Sequence, residues 1–69
     1  MTPLVCELTD REEEVVRLLS EGLEYRGVAR RLGISHNTVR EHVQNGCRKT
    51  GALNKTHLVA LYNRGAAPR

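Results

Sequence analysis

The chain has 69 residues and a formal net charge of +3, and 39% of its residues are hydrophobic, although it contains no Phe, no Trp and only two Tyr. From this length we expect one small domain and not a multi-domain enzyme, and the shortage of aromatic residues predicts an aliphatic core. Residues 1–24 carry seven acidic and two basic residues, whereas residues 25–69 carry one acidic and nine basic residues. The second part would therefore attract a polyanion such as nucleic acid.

The sequence shows little sign of a membrane span, a secretory signal or a metal site. No apolar run approaches the roughly 18 residues that a membrane span needs, and the first seven residues lack the basic segment of a secretory signal. We therefore expect a cytoplasmic protein without membrane contact. Cys6 and Cys47 belong to no Cys-x-x-Cys or Cys/His pattern, so we expect free thiols, no metal and no cofactor.

The first predicted helix covers residues 10–21. Thr9 and Glu12 form a capping-box pattern, and acidic residues follow in the first turn, where the helix dipole favours them. Apolar residues at helical spacing give this helix one buried face, and Gly22 ends it. The acidic cluster thus has a local structural explanation and does not indicate a catalytic or metal site.

Two further helices are predicted over residues 25–32 and 36–50. Gly33 ends the first of them, Ser35 is a strong N-cap for the second, and Gly51 is a C-cap. Two helices joined by a tight glycine-containing turn have the outline of a helix-turn-helix.

The third predicted helix has one packing face and one polar face. We expect the packing face to contain Val39, Val43, Gly46, Cys47 and Thr50, with Gly46 marking the close approach of a neighbouring helix. The opposite face holds His36, Asn37, Arg40, Glu41, Gln44, Asn45 and Arg48. Arg, Asn, Gln and Glu can hydrogen-bond base edges in the major groove of DNA, whereas a merely solvated face would favour Glu, Lys and Ala. The predicted base-reading residues are Asn37, Arg40, Glu41 and Gln44.

A fourth helix is predicted over residues 55–64, with Asn54 as its cap. Its apolar arc of about 160° is wider than the roughly 100° stripe of a one-sided amphipathic helix. Two interpretations stay open: the arc completes the core through Leu58 and Tyr62, or part of it forms a surface for self-association. The predicted dimer interface consists of Leu58, Leu61 and Tyr62.

Two runs of residues resemble the LuxR/GerE-type helix-turn-helix domain of bacterial transcription regulators, over about residues 8 to 62. The first is similar to that family's opening helix: Leu8-Thr9-Asp10-Arg11-Glu12, then Glu14-Val15-Val16-Arg17-Leu18-Leu19-Ser20-Glu21-Gly22. The second is similar to its helix-turn-helix core: Val28-Ala29-Arg30-Arg31-Leu32-Gly33-Ile34-Ser35-His36-Asn37-Thr38-Val39-Arg40-Glu41-His42. The resemblance implies an all-α four-helix bundle whose third helix enters the major groove and whose fourth helix pairs two copies.

The resemblance also assigns roles to particular residues. It implies base contacts by Arg40, Glu41 and Gln44. With the charge pattern, it predicts phosphate contacts by Arg26, Ser35, Thr38, Arg48 and Lys49. We expect residues 8–65 to form the DNA-binding domain, residues 1–7 an N-terminal extension and residues 66–69 a C-terminal tail.

Several residue positions depart from the family pattern. Glu24 and Tyr25 replace the usual Ser-Asn before the second helix, so that cap is expected to be missing or altered, and Gly46 and Thr50 replace large aliphatic residues. Tyr25 and Gly46 are also similar to residues in the last DNA-binding region of bacterial sigma factors.

The sequence predicts sequence-specific binding of double-stranded DNA for transcription regulation by a homodimer. A sigma-region-like module that binds a promoter or RNA polymerase is the nearest alternative. A protein-interaction anti-regulator without DNA binding is another, since Glu41 would repel phosphates unless it is paired. We expect no enzyme, because the chain has neither a nucleophile/base pair nor a phosphate-cradling glycine loop.

Overall fold

The structure, a computed structural model, describes residues 8–66, and these form four α-helices. The helices are α1 (Asp10–Ser20), α2 (Tyr25–Leu32), α3 (His36–Thr50) and α4 (Lys55–Ala66). The predicted all-α fold is confirmed, with α1 one residue shorter and α4 two residues longer than expected. The predicted extension at residues 1–7 and most of the tail, residues 67–69, lie outside the described residues, as does Cys6.

Local capping explains where α1 begins and ends. The Glu12 backbone N–H donates to Thr9 Oγ1 at 3.1 Å, and the Thr9 backbone N–H donates to Glu12 Oε1 at 3.0 Å, which completes the predicted capping box. Gly22, with φ of +102°, turns the chain out of the helix. As expected from its sequence, Glu24 precedes α2 without a capping hydrogen bond from its side chain.

The helix-turn-helix consists of α2, a three-residue turn and α3. Gly33 adopts φ of +70° at the end of α2, a left-handed conformation that favours glycine. Ser35 Oγ accepts a hydrogen bond of 3.0 Å from the Thr38 backbone N–H, as expected of the N-cap of α3. At the start of α4, Asn54 Oδ1 accepts from the His57 backbone N–H at 2.8 Å. Local side-chain hydrogen bonds thus fix the beginnings of α1, α3 and α4 (α2 lacks one).

The core is aliphatic, as predicted, and every helix contributes to it. Its buried members are Val15, Val16, Leu18, Leu19, Val28, Ala29, Val39, Val43 and Leu58. Helix α1 packs against α3 and α4, and α2 packs against α3. Helix α3 is therefore anchored from both sides. None of the helices within residues 10–66 is long and apolar enough to cross a membrane.

Gly46 lies where α3 and α4 approach each other. A Cβ atom at this position would lie 3.2 Å from Leu58 Cδ2 and 3.5 Å from Leu8 Cδ2, which confirms the expected close approach. Leu58 is 1% exposed. The assignment of Leu58 to a dimer interface is therefore wrong, because its side chain is enclosed by the core of a single copy. Leu61 and Tyr62 keep accessible surface, although Tyr62 also packs against the core.

Candidate nucleic-acid interface

The two faces of α3 separate as the sequence predicted. Val39, Val43 and Gly46 are buried, and Cys47 and Thr50 are half-buried. On the other face, Asn45 is half-buried and the remaining residues are exposed: His36, Asn37, Arg40, Glu41, Gln44 and Arg48. Thr50 Oγ1 donates to the Gly46 carbonyl oxygen at 2.8 Å, so this polar residue finds its partner within the helix.

Four exposed residues of α3 form what we call the reading face: Asn37, Arg40, Glu41 and Gln44. Their spacing places them on one side of the helix over about 10 Å, at 1.5 Å per residue. About three base pairs of DNA cover that length, at 3.4 Å each. No ion pair within residues 8–66 involves Arg40 or Glu41. The reading face is thus open to an incoming ligand.

The predicted phosphate contacts fall into two groups. Ser35 and Thr38 lie at the turn of the helix-turn-helix and the start of α3, where Ser35 Oγ and Thr38 Oγ1 are 2.8 Å apart and already share a hydrogen bond. Arg26, the second residue of α2, lines a cleft together with His36 at the start of α3. Arg48 and Lys49 lie near the C-terminal end of α3, about 18 Å further along the helix at 1.5 Å per residue. Arg48 Nη2 donates to Asn45 Oδ1 at 2.6 Å, and Lys49 has a carboxylate partner.

Lys49 forms an ion pair that sequence reasoning missed. Its Nζ donates to Glu12 Oε1 at 2.7 Å, and the side chains of Lys49 and Glu12 are 33% and 6% exposed. The same Oε1 accepts from the Thr9 backbone, so Glu12 both caps α1 and connects it to α3. His42 lies close enough for its charge to act on Glu12, and among residues 8–66 its buried Nδ1 has no hydrogen-bond partner.

Opposing effects act on the pKa of Glu12. Burial raises the pKa of its carboxyl, but the hydrogen bonds from Lys49 and the Thr9 backbone, with the charges of Lys49 and His42, lower it below the ordinary value of 4.5. The ionised form is therefore favoured in the folded state. Lys49 accordingly contributes to the fold, and its predicted phosphate contact would compete with Glu12 for the same ammonium group.

Replacing Lys49 by Met is expected to lower the free energy of unfolding by about 1–3 kcal/mol at pH 7, because a buried acceptor loses its partner. In the wild type, the ionised Glu12 carboxylate contributes fully to the free energy of unfolding above pH 4.5. This contribution is lost as the pH falls through the pKa that Glu12 has in the folded state, which lies below 4.5. Without Lys49, burial raises that pKa, so Glu12 becomes protonated at a higher pH. The difference in Tm between the two proteins should thus narrow below pH 4.5.

Thermal unfolding followed by circular dichroism between pH 3 and 8 measures this difference, with Arg31→Met as the control at an exposed arginine. A Tm difference that stays constant over this range would show that the charge of Glu12 has no part in the effect of Lys49→Met.

Tyr25 is a second residue whose surroundings the sequence did not reveal. It is half-buried and packs against the core. Burial raises the pKa of its hydroxyl, Cys47 adds to this rise, and the charge of Arg40 opposes it. The Tyr25 ring also lies 5.7 Å, centroid to centroid, from the ring of His36, which is one helical turn before Arg40. Burial also raises the pKa of the Cys47 thiol, and Cys47 has no disulfide partner among residues 8–66.

Comparison with known proteins assigns this chain to a family. The family described as bacterial regulatory proteins, luxR family, matches residues 7–62. The chain belongs to this family. LuxR-family membership agrees with the four-helix fold and supports a role in DNA-binding transcription regulation, which is not an enzyme class.

Several members of the LuxR family are similar to this chain. Transcriptional activator protein CarR of Pectobacterium carotovorum is 44% identical over 52 residues, which are 75% of this chain and 21% of CarR. The monoamine regulon transcriptional regulator of Klebsiella aerogenes is 40% identical over 62 residues, 90% of this chain and 27% of that protein. A putative HTH-type transcriptional regulator of Mycobacterium tuberculosis is 39% identical over 61 residues, 88% of this chain and 7% of that protein.

The chain thus spans about a quarter or less of the length of these relatives. No solved structure matches the chain significantly.

Proposed function

We propose that this domain binds double-stranded DNA sequence-specifically and regulates transcription, with α3 in the major groove. The observation that carries the proposal is the reading face, a set of exposed hydrogen-bonding side chains on a helix whose other face is buried in the core. An anchored helix holds such side chains in fixed register, and base contacts of this kind give specificity. The names of the relatives, which include a transcriptional activator, agree with this role.

Phosphate contacts would supply affinity for any DNA sequence. Arg26, Ser35 and Thr38 would contact one stretch of backbone near the start of α3, and Arg48 would contact another stretch at the far end of α3. Lys49 would contribute less than a free lysine because Glu12 already holds it. A regulator with these contacts would act on chromosomal DNA in the cytoplasm.

Dimerisation through α4 is the second part of the proposal. With Leu58 in the core, the surface for a second copy reduces to Leu61 and Tyr62. A two-fold dimer would present two copies of α3 to successive major grooves. RNA polymerase contact is the expectation under the sigma-like alternative.

Selection of bound duplexes from a random DNA pool at low ionic strength tests the proposed function. We expect an enriched sequence of about three base pairs per copy, repeated with two-fold symmetry. Enrichment without symmetry would contradict the dimer. Failure of every duplex to bind would contradict DNA binding itself, and a polymerase pull-down would then test the sigma-like alternative.

A further inference from the structure

A cleft of about 300 Å³ lies where the N-terminal ends of α2, α3 and α4 meet. Tyr25, His36 and Lys55 are the first residues of these three helices, and the lining is completed by Glu24 and Arg26. Two of the five residues are cationic, one is anionic and one is an imidazole. We call this site the three-helix cleft.

Tyr25 organises the cleft. The Lys55 Nζ lies 5.2 Å from the centroid of the Tyr25 ring, within the range of a cation–π interaction. The His36 ring lies 5.7 Å from the same ring, centroid to centroid, tilted by 54°. Since Tyr25 is itself packed against the core, it is a fixed platform that restricts the otherwise mobile lysine.

The composition of the cleft favours an anion. The cleft is lined by the first residues of three helices, and the start of a helix carries partial positive charge. Lys55 and Arg26 add full positive charges and N–H donors, and Tyr25 is the only apolar ring in the lining. A purely apolar ligand would find little surface here.

The position of the cleft identifies the anion. His36 precedes Arg40 of the reading face by four residues, about one helical turn, on the same side of α3. A DNA strand whose bases meet the reading face would therefore bring its backbone past the cleft.

We propose that the three-helix cleft binds one backbone phosphate of the DNA beside the bases read by α3, with Lys55 and Arg26 as donors and Tyr25 as the positioning residue for Lys55. This inference rests on the proposed function and adds Tyr25, His36 and Lys55 to the residues assigned from sequence. Glu24 opposes the phosphate, so its carboxylate limits the affinity of the site.

Two variants that each remove one charge of the cleft test the proposal. Their binding is measured on a DNA duplex obtained by the selection from a random pool. Lys55→Gln removes a donor, and Glu24→Gln removes the opposing charge. Arg64→Gln is the matched control, because Arg64 is exposed on the same helix two and a half turns further along, on the opposite side. Dissociation constants are measured between 50 and 200 mM salt, and phosphate ethylation interference identifies the contacted phosphates.

Loss of one phosphate contact reduces the slope of log K against log salt by about 0.9 per bound copy. When salt rises from 50 to 200 mM, the affinity of the wild type should therefore fall by a factor that is about 3.5 times larger per copy than the factor for Lys55→Gln. We expect Lys55→Gln to lose interference at one phosphate per copy, Glu24→Gln to bind more tightly, and Arg64→Gln to keep the wild-type footprint and slope.

Variants of Tyr25 test whether this residue positions Lys55, as distinct from the effect of the lysine charge alone. Tyr25→Phe keeps the ring and should keep the interference footprint, whereas Tyr25→Leu should lose the same phosphate as Lys55→Gln. Circular dichroism checks that each variant folds, and if Tyr25→Leu does not fold, the exposed-site variants at positions 24 and 55 decide.

If Lys55→Gln retains every interfering phosphate and behaves as Arg64→Gln, the cleft proposal is overturned while DNA binding stands. If wild type binds no duplex, the proposed function fails as well, and the two failures are thus distinguished.

Discussion

Replacing Leu58 by Ala is expected to leave the domain largely unfolded near 37 °C. Leu58 is 1% exposed and lies against Gly46 where α3 and α4 meet. Truncation of a buried leucine lowers the free energy of unfolding by about 2–5 kcal/mol. Since a domain of this size has only about 3–5 kcal/mol of net stability, this one change removes most of it.

Urea and thermal unfolding followed by circular dichroism measure the effect. Leu61→Ala is the matched control, because it makes the same truncation three residues later at a half-exposed position. We expect it to change the unfolding free energy of a single copy by about 1 kcal/mol or less and to weaken self-association instead. Equal destabilisation by both variants would contradict the division of α4 into a core side and a surface side.

Replacing Arg40 by Ala is expected to flatten the preference of the domain among DNA sequences. A bidentate contact between arginine and guanine contributes about 1–3 kcal/mol of discrimination, so the ratio of affinities for selected and random DNA should fall by about 5-fold to 150-fold. Affinity for random DNA should change much less, because phosphate contacts supply it.

Arg30→Ala is the control for Arg40→Ala, since it removes the same charge from an exposed position on α2 outside the reading face. Binding to a selected and a scrambled duplex at one salt concentration gives the comparison. If Arg40→Ala weakens both duplexes by the same factor, Arg40 contacts the backbone and the reading-face assignment fails at this residue.

The sequence predicted the helices well because their boundaries depend on local chemistry. The capping box of Thr9 and Glu12, the N-cap at Ser35 and the glycine ends at Gly33 and Gly51 each act over a few residues. The separation of α3 into buried and exposed faces was predictable for the same reason, since helical periodicity requires only the spacing of apolar residues.

Tertiary contacts between distant residues were not predictable in this way. Lys49 and Glu12 are 37 residues apart, and the capping role of Glu12 already accounted for its place in the sequence. The wide apolar arc of α4 indicated excess apolar surface, but only packing against α1 and α3 shows that Leu58 belongs inside. Tyr25 stood out as a departure from the family pattern, whereas its contacts with Lys55 and His36 depend on how three helices converge.

The absence of a side chain at Gly46 brings α3, the proposed recognition helix, into direct contact with α4, the helix proposed to pair two copies. Such a junction leaves little freedom for one to rotate against the other. In a dimer, the two recognition elements would thus lie at a fixed distance from each other, and the dimer would require the same distance between the two halves of its DNA site. Operators with an inserted base pair between their halves would fit it poorly, even with every recognised base intact.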